Sequence, residues 1–521
     1  MKKILFTSVL LLSGASMLFA QKAPINWYLQ SFAKDGVFGT GATQAYEYLN
    51  GMTPQTVIVA VIDSGVEVNH EDLKGVIWTN KNEIPDNGID DDKNGYVDDI
   101  HGWSFLGGPG GDIDHEAMEI ARLYHRARQT FDGKDTSNLS GKDLEDYKVY
   151  KALKEDFARE QGDIEMQEKN LGMLSGYIQK VKAASNGVFS KKTNKAYVPT
   201  DDLEKRIQKR VGLILLAYEA EVLEGMITEG AETYMNMAKY NRLNTDSLRQ
   251  LVVGDDPLNG AERFYGCNRY EGPDAMHGTH VSGIIAAQRG NGIGIDGIAA
   301  NAQIMVLRAV PNGDERDKDV ANAIRYAVDN GAKVINMSFG KYYFQDKALV
   351  DEAIRYAMEN DVLLVHAAGN DAKDKDIEDS YPTRRLSDGT IATNWIEVGA
   401  ASVSKKGSKL LADFSNYGLT TVDLFAPGVD IYSTVPDGKY EDASGTSMAC
   451  PATAGVCAII RGYFPELTAA QVREVLMKTA VPCKKKVVVP GTKKKVKVTD
   501  VSISGGFVSA EKAVEYLLIN R

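Results

Sequence analysis

Three short patterns set a carboxylate, an imidazole and a hydroxyl at structurally marked positions. Val61-Ile62-Asp63-Ser64-Gly65-Val66 puts an acid at the end of an apolar run. His277-Gly278-Thr279-His280-Val281-Ser282-Gly283 puts a histidine at the start of a helical pattern, and Ser444-Gly445-Thr446-Ser447-Met448-Ala449-Cys450-Pro451 opens an apolar helix on a serine after a glycine. Each alone reads as a cap, a turn or a packed histidine. Together they are the ingredients of nucleophilic hydrolysis, because a serine hydroxyl attacks at neutral pH only when a neighbouring base takes its proton. His280, one turn beyond His277, reads as structural.

The elements that must position these groups are short apolar runs at Val57–Ile62, Ile304–Ala309, Val334–Met337 and Val362–Ala367, of the kind buried in a parallel sheet. Helical patterns at Thr279–Ala287, Val320–Asp329 and Leu349–Met358 alternate with them. The expected fold class is therefore α/β, a doubly wound and mostly parallel sheet. Working residues in such sheets gather at the carboxyl ends of strands, where Asp63, Ser338 and Asn370 fall. Residues 113–262 differ: rich in Glu, Lys and Arg, they repeat apolar residues at helical spacing, as in Leu144, Tyr147, Tyr150, Leu153, Phe157 and again from Leu203 through Ile207, Val211, Leu215 and Tyr218 to Val222. The expected organisation is a signal peptide at 1–20, a first part of the α/β domain at 21–112, a helical insertion at 113–262 and the remainder of the domain at 263–521.

The three patterns and their chain order resemble those of the subtilisin-like serine peptidases. The resemblance covers Gly39–Trp78 and Gly266 to the C-terminus; the helical 113–262 segment is foreign to the family's usual core. It implies Ser447 as nucleophile, His277 as general base and then acid, and Asp63 as the group that orients the imidazole. His366-Ala367-Ala368-Gly369-Asn370 resembles the family's oxyanion-hole segment, with Asn370 as side-chain donor. Ser338-Phe339-Gly340 resembles its substrate-binding strand edge, pairing with an extended peptide, and Ala367, Ala368 and Gly369 would floor the main specificity pocket. The same likeness implies a structural calcium at Asp72 and the loop Asn291–Ile295. A helical insertion between Asp63 and His277 either gates the substrate cleft or only elaborates the packing.

Asp90, Asp92, Asn94, the Tyr96 carbonyl and Asp98 space oxygen ligands like the first nine positions of an EF-hand loop, while His101 stands where a bidentate Glu belongs. Calcium (Ca2+) and a solvated acidic turn are both compatible with that run. Lysines flank Pro490-Gly491 in Cys483–Val498, which reads as a β-hairpin whose charges either protect its edges or face an anionic partner. The 521 residues carry a net charge of −11 with 43% hydrophobic residues, which fits a soluble globular protein and argues against a general nucleic-acid binder. Lys2 and Lys3, the apolar run Ile4–Leu12 and a small residue at Ala20 read as a signal peptide. The expected location is periplasmic or extracellular, with no stable membrane insertion after the signal is removed. The four cysteines suggest no disulfide scaffold, and the absence of CxxC and HExxH patterns speaks against a zinc enzyme. Proteins or peptides are the expected substrates. A catalytically idle peptide binder and an esterase or transpeptidase are the rival readings.

Overall fold

The computed structural model describes residues 23–216 and 218–520. The expected signal peptide lies outside the described residues. Two compact units emerge among the described residues, one holding 115–245 and the other 23–114 together with 246–520.

The larger unit is built on a nine-stranded sheet. Its strands in chain order are β1 (Val57–Asp63), β2 (Gly102–Ser104), β3 (Ala302–Arg308), β4 (Val334–Met337), β5 (Leu363–Ala367), β6 (Trp395–Ala401), β7 (Leu424–Pro427), β8 (Val481–Pro482) and β9 (Gly506–Phe507). They lie side by side as β8-β9-β7-β6-β5-β4-β1-β3-β2. All neighbouring pairs are parallel except β8 with β9. The fold is therefore the α/β, mostly parallel sheet expected. Central strands such as β4 and β5 are buried throughout, as both faces of the sheet are covered. Register aligns the ends that matter: Ile62 pairs with Met337, and Met337 with His366. Asp63, Ser338 and Ala367 thus lie in one row.

Two helices complete the frame. The helix Met276–Ala286 carries His277, and the helix Thr446–Tyr463 carries Ser447. Every residue of the second from Met448 to Gly462 is buried, as expected of a helix that is apolar all round. The other expected helices appear as Asp317–Asp329 and Lys347–Glu359, each starting earlier than its first large apolar residue. A polar cap sets the second start, where the Asp346 carboxylate accepts from Leu349 N at 3.1 Å.

The helical unit pairs Gly141–Ala183 with Ala220–Tyr240. Their direction is antiparallel: the Lys182 ammonium meets Glu224 at 2.6 Å, and the Gln161 amide donates to the Ala238 carbonyl. Ile164, Leu171, Leu174, Ile178 and Val181 form the seam with Leu223, Ile227, Tyr234 and Ala238, spaced at three, four and seven as in a coiled coil. The run expected from Leu203 to Val222 is interrupted, because the helix Asp202–Ile214 ends before Tyr218, and both Leu203 and Val222 are exposed.

Residues 246–262, which composition groups with the insertion, pack in the α/β unit instead. The fully buried Arg249 guanidinium pairs with Asp319 at 2.7 Å and Asp255 at 2.8 Å, and donates to the Phe105 carbonyl. Lys318 bridges Asp255 and Glu262. Charged composition here marks a buried ionic network rather than a solvated helix. The two points where the chain leaves and re-enters this unit meet at one loop: Asn312 N donates to the Asp114 carbonyl at 2.8 Å, and Arg316 pairs with Asp246 at 2.7 Å. Replacing Arg249 by Met leaves the buried Asp319 carboxylate without its cation and Asp255 with Lys318 alone. A loss of about 3–5 kcal/mol is expected in a denaturant titration, and an unchanged midpoint would contradict the anchoring role.

Candidate active site

Asp63 ends β1 with its side chain buried, and its Oδ1 accepts from Ser64 N at 2.8 Å. His277 comes to it because the helix behind can approach closely. A Cβ on Gly278 would lie 2.1 Å from the Gly65 carbonyl oxygen and 3.2 Å from the Asp63 Cβ, so only glycine fits there. His277 Nδ1 stands 2.7 Å from Asp63 Oδ1 across a sequence separation of 214. A carboxylate can only accept, so Nδ1 carries the proton and Nε2 is the basic nitrogen of the neutral ring. The His277 side chain is 36% exposed against 3% for Asp63. One end of the pair is thus dry, and the other meets solvent.

Ser447 is held by a reciprocal pair. Pro451 lies within its helix and has no N–H, so the Ser447 carbonyl lacks the donor four residues on that a regular helix supplies. The Ser338 hydroxyl replaces it at 2.9 Å, while the Ser447 hydroxyl donates to the Ser338 carbonyl at 3.2 Å. Asn336 Nδ2 donates to the Ser338 hydroxyl in turn. The expected substrate edge therefore also fixes the hydroxyl-bearing residue. Phe339 beside it is buried in the main apolar core, and Gly340 follows with its face against the Tyr381 carbonyl and the His366 ring.

Asn370 has an assigned orientation. Its Oδ1 accepts from Thr446 N at 2.8 Å and from the Thr446 hydroxyl at 2.9 Å. The backbone N–H can only donate, so the amide oxygen must face it. A Cβ on Gly445 would lie 3.5 Å from Ser447 N and 3.6 Å from Asn370 Nδ2. Two N–H donors thus flank one spot, left open because residue 445 has no side chain. The Thr446 hydroxyl also accepts from Gly369 N at 3.1 Å. Ala367 and Ala368 are buried at the end of β5, and Gly369 adopts φ +105° with Asn416 packed against it. Ser338's hydroxyl and Thr446 were not singled out by sequence reasoning. Pro451, four residues after Ser447, is the signal that an outside donor was required.

Below the strand end, His366 Nδ1 donates to Glu397 at 3.1 Å, and Lys375 pairs with the same carboxylate at 2.7 Å. Burial pushes the Glu397 carboxyl up, but Lys375 and His366 outweigh it and hold it at about 2.

The acidic loop gathers Glu83, Asp90 and Asp92, whose carboxylate oxygens lie within 4.8 Å of one another. Clustered like charges with oxygen donors fit a hard cation such as calcium. Glu83 lies upstream of the loop, where ligand spacing offers no clue to it. The Asp98 carboxylate caps Asn87 N and Gly88 N, while its own N–H donates to Glu83. Asn94 spends its oxygen on Tyr96 N, and the Tyr96 side chain is buried among Trp103, Phe105 and Tyr326. Asp99 is occupied by Tyr326, Asn80 and Asn94. At the second expected site, Asp72 accepts from Asn291 Nδ2 at 2.7 Å and Ile295 N at 2.9 Å. This site offers a single carboxylate, where the acidic loop offers three, a weaker fit to a cation.

His280 is the structural histidine expected. Its Nε2 donates toward the Ile431 and Glu441 carbonyls, both at 3.1 Å, and burial pulls its pKa down to about 4. An unfolded chain binds this proton near the ordinary value of about 6.5, whereas the folded one resists it down to about 4. Stability should therefore fall as pH drops through that window. In His280→Gln, melting temperature followed over the same window should show a shallower slope; an identical slope would contradict the buried neutral ring.

The subtilase family's sequence profile matches residues 55–506. The chain is 42% identical to the thermophilic serine proteinase of Bacillus sp. (strain AK1) over 186 residues, 35% of this chain and 42% of that protein. It is 34% identical to the cell wall-associated protease of Bacillus subtilis (strain 168) over 260 residues, 48% of this chain and 27% of that protein. Thermitase of Thermoactinomyces vulgaris is 36% identical over 241 residues, 46% of this chain and 75% of thermitase. The matched stretch thus spans less than half the length of the first two relatives. With the family profile reaching from just before β1 to β9, the chain belongs to the subtilase family.

Proposed function

We propose that this chain is an exported serine endopeptidase that cleaves peptide bonds through an acyl-enzyme on Ser447. The observation that carries the reading is the 2.7 Å contact of His277 with Asp63, which leaves Nε2 as the base. His277 takes the Ser447 proton during attack and returns it to the leaving amine, while the Asp63 carboxylate holds the tautomer and stabilises the imidazolium. The tetrahedral oxyanion forms against Ser447 N and Asn370 Nδ2, donors whose positions are fixed beforehand by Thr446 and by the helix start. Ser338, Phe339 and Gly340 offer backbone to an extended substrate, and Ala367, Ala368 and Gly369 floor a roomy pocket for the side chain before the cleaved bond.

Export is supported by the leader-like first twenty residues and by kinship with a protease named cell wall-associated. Among the described residues, no helix is long and apolar enough to cross a membrane. The segment 115–245 is proposed as a helical insertion in the chain of the catalytic domain.

A fluorophosphonate probe should label the protein, and Ser447→Ala should abolish labelling; labelling that survives would overturn the assignment. Asn370→Ala should lower kcat about a hundred- to thousandfold, the range seen when one such donor is removed from a subtilisin, with KM little changed. Hydrolysis of an ester but not of the matching peptide amide would favour the esterase reading.

Calcium is proposed at Glu83, Asp90 and Asp92, where it would screen the clustered carboxylates and stiffen the loop. Excess EDTA should lower the melting temperature of the wild type, and Glu83→Gln should remove most of that response. Equal melting of the wild type with and without chelator would exclude the site.

A further inference from the structure

The lysine-rich segment is not used by the catalytic reading. Its strands Val487–Val488 and Lys495–Val496 pair antiparallel with each other and with no strand of the nine-stranded sheet. Both strands are thus edges of their own two-stranded sheet, and their lysines border no strand of the larger one. Val487, Val489 and Val498 are buried against Phe425 and Phe507, which leaves Lys484–Lys486, Lys493–Lys495 and Lys497 exposed on the outer face. A second basic segment adjoins it. Lys405, Lys406 and Lys409 are exposed, and the Lys485 ammonium donates to the Lys405 carbonyl at 2.7 Å. Among the described residues none of these lysines is ion-paired with a carboxylate, although the chain as a whole carries a net charge of −11.

The patch also adjoins the oxyanion segment. Gly491, at the turn of the hairpin, donates its N–H to the Asp413 carbonyl at 2.9 Å, and a Cβ there would lie 2.7 Å from that of Ala372. Ala372 follows Asn370 by two positions. Lys493–Lys495 then lie within roughly 15 Å of this turn along an extended strand. The segment holds no arginine to fork onto phosphates and no aromatic ring on which bases could stack, so its chemistry is that of mobile point charges.

We propose that this hairpin is an exosite that attracts acidic segments of polypeptide substrates flanking the bond to be cleaved. The inference rests on the endopeptidase reading above. It adds a substrate class: proteins with a run of Asp or Glu beside a site that fits the cleft. Positive charge beside a cleft in an otherwise acidic molecule raises the local concentration of such chains, and salt screens the attraction.

The test uses the mature wild-type protein and a Lys493→Gln, Lys494→Gln, Lys495→Gln variant. Its hairpin keeps every valine that packs. One fluorogenic peptide is made neutral, with an acidic tract before the cleaved bond, and with the tract after it. At low salt the wild type should cleave one of the tract-bearing peptides about tenfold faster in kcat/KM than the neutral one, mainly through KM. That gain should vanish in the variant and at high salt, with the neutral peptide cleaved equally by both proteins. Equal rates on all three peptides would overturn the exosite while leaving the peptidase intact. No cleavage of any peptide would instead fail the catalytic reading on which it rests. A gain that persists in the variant would assign the preference elsewhere, and salt-sensitive binding to phosphatidylglycerol vesicles without any substrate effect would give the patch to a bilayer instead.

Discussion

One carbonyl on the serine helix cannot be satisfied by its own helix. Pro451 withholds the N–H that the Ser447 carbonyl would accept, and the Ser338 hydroxyl takes that place. An unsatisfied buried carbonyl is costly enough that the pairing is close to obligatory. It ties the first turn of the helix to the end of β4, and β4 is in register with both β1 and β5. The acid on β1, the amide after β5 and the helix start are thereby referred to a single strand end. Geometry at the centre follows from sheet register and one missing proton donor, rather than from loops that happen to meet.

Close approach is the second constraint. Gly278 lets the histidine helix touch the Gly65 carbonyl, and Gly445 leaves room between two N–H donors. Both glycines lie where a side chain would fill the space that the chemistry uses. Thr446 acts in the same sense without entering that space: it accepts from Gly369 N and fixes the Asn370 amide, so the donor is oriented before any charge develops.

Much of this was legible in the residues. Strands showed as β-branched runs because both sheet faces are buried, and Asp63, Ser338 and Asn370 were placed at strand ends by the same pattern. Side-chain partners were harder to read. Glu83 joins the acidic cluster from outside the loop whose spacing suggested ligands, and Asp98, spaced like a ligand, caps two backbone N–H groups at the start of that loop. Composition also grouped 246–262 with the helical segment, whereas Arg249 and Asp255 are buried in the α/β unit with Asp319 and Lys318. Charge count in a sequence does not report whether the charges neutralise one another. The break after Ile214 was hidden by an apolar repeat that continued beyond the end of the helix.

Asp114 and Asp246 are both held by the loop at residues 312–316. Seen from the sheet, the whole stretch between them is an excursion whose two ends are both held by that loop. Chain-closure entropy rises only with the logarithm of loop length, so such an excursion burdens the host far less than its size suggests, and less still when it folds upon itself. No strand of the nine-stranded sheet lies between the two aspartates, and neither does any of Asp63, Ser338 and Ala367.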